Sequence, residues 1–238
     1  MRELKKQFVM RWDELLTIFS LQLFLFLAGE VIVAVVVYTV KEETVVELGT
    51  LMALAGILLV LFFIGASVMQ ICFNMGISMC DVRKRLVPAI FFVTFLETMA
   101  AIGAAYLFHR LELWSFQTFY PGMENELDLG FLFQWKYILP AGLAFTAVYS
   151  LLGVLFIRYG KIAFWIFWVI WFLGCLGPSI AGKLWGRYRH TAVVRGISSV
   201  WSVFGQIAES AVLWGIAGAA VLILMISYFL LRRQQVNL

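Results

Sequence analysis

Gly76-Ile77-Ser78-Met79-Cys80-Asp81-Val82-Arg83-Lys84-Arg85 interrupts two long apolar runs with the densest knot of charge between any hydrophobic segments of the chain. A short basic turn joining two membrane spans must sit in water, and its positive charge biases it to the cytoplasmic side. The composition around it settles the class. The chain is 63% hydrophobic and only 13% charged, with a mean hydropathy of +0.95, whereas soluble domains carry roughly 25% charged residues. This is the composition of an all-α integral membrane protein. The 22 Phe and 9 Trp suit lipid-facing surfaces with indole rings near the headgroups. The stretches between apolar runs are shorter than the roughly 50 residues a soluble domain needs. The net charge of +4 is scattered over short loops, which fits topology and contact with membrane lipids and argues against nucleic-acid binding.

Upstream of the turn, residues 1–14 carry Arg2, Lys5, Lys6 and Arg11, with Leu4, Phe8 and Trp12 recurring every four residues. That spacing predicts an amphipathic helix lying in the membrane interface. A first span runs from about Leu15 to Val40 and stops at Lys41-Glu42-Glu43. A second, about Leu48 to Met79, amounts to roughly 48 Å of helix against a hydrocarbon core of about 30 Å. It must tilt, break near Gly56 or Gly65, or project beyond the bilayer.

Downstream, a third span covers about Leu86 to Phe108, with Pro88 in its entry turn. Residues 109–135 read as an acidic connection around Pro121-Gly122. A fourth span runs over about 136–157 and a fifth over 162–180, separated by the basic turn Arg158 to Lys161. Trp165, Trp168 and Trp171 form one stripe on the fifth, for anchoring or packing. Residues 181–209 mix basic and apolar side chains and read as short half-inserted helices. The last span, about 210–231, ends at Arg232-Arg233 and carries a ridge of small residues, Ala211, Gly215 and Ala219, on which another helix can approach closely.

Six spans put both termini on one side. That side holds Arg2, Lys5, Lys6, Arg11, Arg83, Lys84, Arg85, Arg158, Lys161, Arg232 and Arg233. The other holds Lys41, Arg110, Lys136, Lys183, Arg187, Arg189 and Arg195, four of them in the 181–209 segment. The excess predicts cytoplasmic termini.

Carboxylates inside spans are costly and are functional hypotheses by default. Glu30 lies past the middle of the first span and Glu97 near the middle of the third. No Lys or Arg is expected at matching depth. The two are therefore expected to be protonated or to face a water-filled path, or else to pair with polar groups of neighbouring helices. His109 and His190 have no His, Cys or acidic cluster at ligand spacing, so no metal site is expected. Cys72, Cys80 and Cys175 form no CxxC pair and are read as small hydrophobes. Gly177 to Lys183 has the spacing of a nucleotide-binding loop, but Leu184 replaces the magnesium-binding hydroxyl and no strand precedes it. No catalytic constellation is evident, so the chain is not read as an enzyme by itself.

With the amphipathic start, six spans, the basic turn after the second and the half-inserted segment before the sixth, the chain resembles the permease subunit of an ABC-2 type ATP-binding-cassette exporter along nearly its whole length. In that family the turn after the second span forms a coupling helix against the ATPase. The resemblance assigns Gly76, Ser78, Asp81, Arg83, Lys84 and Arg85 to it, although Met79-Cys80-Asp81-Val82 separates Ser78 from the basic residues. It further implies a cytosolic ATPase subunit that holds ATP and magnesium, and a second permease subunit in a homo- or heterodimer. An amphipathic peptide, drug or lipid-like cargo would leave a bacterial cell through the plasma membrane. The alternative reading is a proton- or cation-coupled secondary transporter or channel that uses Glu30 and Glu97.

Overall fold

The computed structural model describes residues 2–40, 44–60, 66–78, 83–169 and 209–233. Helix α1 (Arg2–Met10) is followed after Arg11 by α2 (Trp12–Val40), the strand β1 (Thr44–Val46), α3 (Leu48–Val60) and α4 (Ala66–Ser78). Then come α5 (Arg83–Phe119), β2 (Glu124–Leu127), a 3-10 turn (Gly130–Phe133), α6 (Trp135–Tyr159), α7 over residues 161–169, and α8 (Glu209–Arg233). Four of these helices, α2, α5, α6 and α8, are long and apolar enough to cross a membrane, and α3 and α4 are shorter apolar helices. Residues 181–208, Cys80, Cys175 and Trp171 lie outside the described residues.

The two ends of the bundle are chemically distinct. At one end α4 stops at Ser78 and α5 starts at Arg83; this is the basic end. At the other, β1 and β2 pair in parallel, Thr44 with Glu124 and Val45 with Asn125, before a bulge brings Val46 opposite Leu127; this is the cap end. Under the strand pair, Val33, Val37, Val45, Phe116 and Tyr120 close a small apolar cluster. Parallel strands need a crossover connection, and here it is the stretch from α3 to α5. α5 returns from the basic end to the cap, so α3 and α4 together make the opposite traverse.

The long second apolar stretch holds two described helices, α3 to Val60 and α4 from Ala66. Of the two glycines at which a break is expected, Gly56 is helical and packs close to Leu25, and Gly65 lies outside the described residues. The third helix runs to Phe119, well past the expected Phe108, which turns part of the expected acidic connection into helix. Pro88 sits inside it, and with no N–H there the Lys84 carbonyl loses its usual intrahelical donor. Gly160, at φ 53°, ends α6 in a conformation that suits glycine.

The main core joins Ile18, Ile57, Met69, Phe73, Leu86, Ile90, Tyr149 and Val154. Helices α2 and α3 pack side by side, as do α6 and α8. The α2–α3 approach is close enough that a Cβ on Gly29 would lie 2.6 Å from the Gly49 Cα. Cys72 is buried in this bundle, as a small apolar side chain would be. Gly29→Val therefore destabilises the protein by about 1–3 kcal/mol through overpacking. Gly103→Ala, which meets nothing within 4 Å, leaves thermal unfolding in detergent unchanged.

Candidate functional site

Among the described residues, the buried charged side chains gather in two belts, with Gln22 buried between them and donating to the Ala101 carbonyl at 3.1 Å. The first lies where α1 meets α2. Arg11 is 1% exposed; its Nε donates to Glu14 Oε2 at 2.8 Å, and its Nη1 and Nη2 donate to Thr94 Oγ1 and Tyr149 Oη, each at 2.5 Å. Glu97 Oε2 lies 2.6 Å from Nη2 as a charge contact outside hydrogen-bond geometry, and Tyr149 Oη in turn donates to Glu14 Oε1 at 3.2 Å. Burial acts to lower the Arg11 pKa, but Tyr149, Glu14 and Glu97 raise it further, so the guanidinium stays charged.

This belt corrects two expectations. Glu97 does have an arginine at its depth, supplied by the N-terminal segment rather than by another span. Arg11 itself is not a surface charge of an interfacial helix. Helix α1 turns Gln7 and Arg11 into the bundle and leaves Phe8 and Trp12 exposed, their rings 6.0 Å apart. The apolar face that the sequence spacing identifies thus looks outward.

The second belt lies at the cap end. The Glu112 carboxylate accepts the backbone N–H groups of Gly49 at 2.8 Å and Thr50 at 2.7 Å, capping the α3 N-terminus where unpaired donors and the helix dipole favour negative charge. Glu30 lies beside Glu112 and accepts from Ser115 Oγ at 3.1 Å, while its Oε1 is buried without a hydrogen-bond partner. Next to them, Glu47 is fully buried and accepts from Asn125 Nδ2 at 2.7 Å, from the Leu129 N–H at 3.0 Å, and pairs with His109 Nδ1 at 3.0 Å.

Glu30 and Glu97, coupled in the alternative reading, therefore belong to different belts. Along α2, Arg11 and Glu30 are separated by about 28 Å of helix, close to the roughly 30 Å hydrocarbon core. Both carboxylates thus mark the edges of the apolar layer, not its middle. His109 is not isolated either: Glu47, His109 and Asp128 each bring a possible ligand atom within 4.8 Å of the others. Glu47, Glu112 and Asp128 were missed because their partners lie on separate elements, and no local spacing announces them.

At the basic end, a Cβ on Gly76 would lie 2.6 Å from Leu86 Cδ1, so any larger residue there would have to displace the buried Leu86 side chain between α4 and α5. Lys84 and Arg85 are exposed. Asp81 lies outside the described residues, as do the side chains of Ser78 and Arg83. Because Arg11 fixes the start of α2 level with Thr94, the α4–α5 hairpin runs on for about 15 Å beyond that level. On α8, Ala211, Gly215 and Ala219 are all exposed, and no described residue packs on Gly215. Trp165 and Trp168 on α7 also point outward.

No protein-family model, curated protein or solved structure matches the chain.

Removing the cation of the first belt leaves buried carboxylates unpaired. Arg11→Met is therefore expected to cost about 3–5 kcal/mol, seen as a lower thermal midpoint in detergent, and adding Glu97→Gln recovers part of the loss.

Proposed function

We propose that this chain is the membrane-spanning permease subunit of an ATP-driven exporter of the ABC-2 type, with six spans, and that the α4–α5 hairpin is its handle for a separate cytosolic ATPase. The observation that carries the reading is the hairpin itself. It is closed tightly at Gly76 and Leu86, bears exposed Lys84 and Arg85, and projects past the Arg11 belt at the end where basic residues accumulate.

A handle transmits force only if it is stiff and tied to what it moves. α5 is one continuous helix from Arg83 to Phe119. Arg11 bonds it at Thr94 and contacts it at Glu97, and joins it to α6 through Tyr149. A displacement of the hairpin by an ATPase that closes on ATP and magnesium would thus reach α1, α2, α5 and α6 together. The chain supplies no nucleotide site of its own in this reading, and the ATPase binds both cofactors.

The proposal completes the topology as the charge bias suggests, with both termini in the cytoplasm of a bacterial cell and the β1–β2 cap outside. The fifth span is the expected 162–180 segment, of which α7 is the beginning, and residues 181–209 are the half-inserted connection before the sixth. The exposed ridge Ala211, Gly215 and Ala219 would meet a second permease subunit, identical or related. The cargo path would run between the subunits, and its greasy lining suits an amphipathic peptide, drug or lipid-like molecule. The separation of Glu30 from Glu97 speaks against the alternative of a single ion path that uses both.

Replacing Arg83, Lys84 and Arg85 together by Ala is expected to leave the protein inserted and folded while it loses capture of its ATPase and export. ATPase co-purification and transport into inverted vesicles check this. Wild-type values in both would remove the hairpin from the coupling role.

A further inference from the structure

The groups at the cap end suggest a second activity that no transport reading requires. We propose that Glu47, His109 and Asp128 form a site for a divalent transition-metal ion of the zinc class. His109 Nε2 and the Asp128 carboxylate are the ligands, and Glu47 is the carboxylate that orients the imidazole.

The donor set has the order a metal centre needs. Glu47 is fully buried and is held by Asn125 Nδ2 and the Leu129 N–H, so its position is fixed before any ion arrives. It takes up His109 Nδ1 at 3.0 Å. An imidazole that donates Nδ1–H to a carboxylate carries its free lone pair on Nε2, and such a carboxylate also raises the basicity of the ligand. The ring is further pinned by Phe133, stacked at 5.2 Å between centroids.

The lone pair faces a space kept open by a missing side chain. A Cβ on Gly130 would lie 3.3 Å from His109 Nε2 and 2.9 Å from Asp128 Oδ1. The two ligand atoms therefore flank one cradle, which an alanine would fill. A bound ion holds such atoms roughly 3–4 Å apart. One possible ligand atom from each of the three residues lies within 4.8 Å of the others, and Asp128 is exposed, so its carboxylate can close on the ion without disturbing the bundle. Water completes the coordination from the exposed side.

One imidazole with a carboxylate suits zinc or copper better than magnesium, which prefers all-oxygen sites. Depth also fits, because the second polar belt lies at the edge of the apolar layer, where ions from the aqueous phase reach it. An ion there would brace three separate parts of the chain: the β1–α3 junction, the outer part of α5 and the segment after β2.

The test uses the tag-free full-length chain in detergent micelles, titrated calorimetrically with zinc chloride, with magnesium chloride as control. Wild type is expected to take up one zinc per chain saturably and to gain thermal stability with it, since a ligand that binds the folded state stabilises it. Asp128→Asn keeps an oxygen for the Gly130 N–H, which Asp128 Oδ1 accepts at 2.7 Å, but loses the anionic ligand. Gly130→Ala keeps every ligand and fills the cradle. Each is expected to weaken zinc binding at least tenfold with an unchanged thermal midpoint in metal-free buffer. Absence of saturable zinc uptake by wild type, or uptake that both variants match, would overturn the site. The export reading stands or falls separately, on the α4–α5 hairpin.

Discussion

A guanidinium has no place in an apolar interior unless every one of its faces is answered, and the arrangement of the basic end follows from how Arg11 is answered. Its three nitrogens reach α2 through Glu14, α5 through Thr94 and Glu97, and α6 through Tyr149. That set of contacts fixes the axial register of three helices at once. Sliding α5 by one turn, about 5.4 Å, would strand both the cation and the carboxylates around it. The register in turn decides how far α5 and α6 both continue past the Arg11 belt at the basic end. Buried ion networks of this kind contribute little net stability, because desolvation offsets most of the attraction. Their contribution here is to positional uniqueness.

The same economy governs the other end. Glu112 takes the place of the side-chain cap that α3 lacks locally, and Glu47 collects donors from β2 and from the segment that follows it. Buried charged groups are thus concentrated in two layers. Between them the helices meet through small-to-large contacts, such as Gly142 against Met99 and Gly56 against Leu25, where dispersion and close approach drive packing in lipid.

Much of the architecture was legible in the sequence because hydropathy reports length and charge reports interruption. The long apolar helices α2, α6 and α8 and the helix before the first of them follow from those two signals. What stayed illegible depended on depth and on distant partners. Glu97 reads as mid-membrane only if its helix starts near Leu86. Once Glu97 is found against Arg11 at the start of α2, the same residue falls at the edge of the layer. Arg11 reads as a surface charge because it shares an amphipathic segment with Arg2, Lys5 and Lys6. Its true surroundings, Thr94 and Tyr149, lie 83 and 138 residues away. His109 likewise had no ligand-spaced neighbour, since Glu47 precedes it by 62 residues.

The parallel pairing of β1 with β2 constrains the order in which the molecule can be assembled. Three successive residues of one strand have to wait for a partner that is synthesised only after α3, α4 and the whole of α5 have been made and have travelled out and back. The pair is too short to persist alone, since even a complete hairpin is marginal in water. Closure of this clasp is therefore the last local event for the first half of the chain, and its buried glutamate gains its full set of donors only when the returning helix has arrived in the right place.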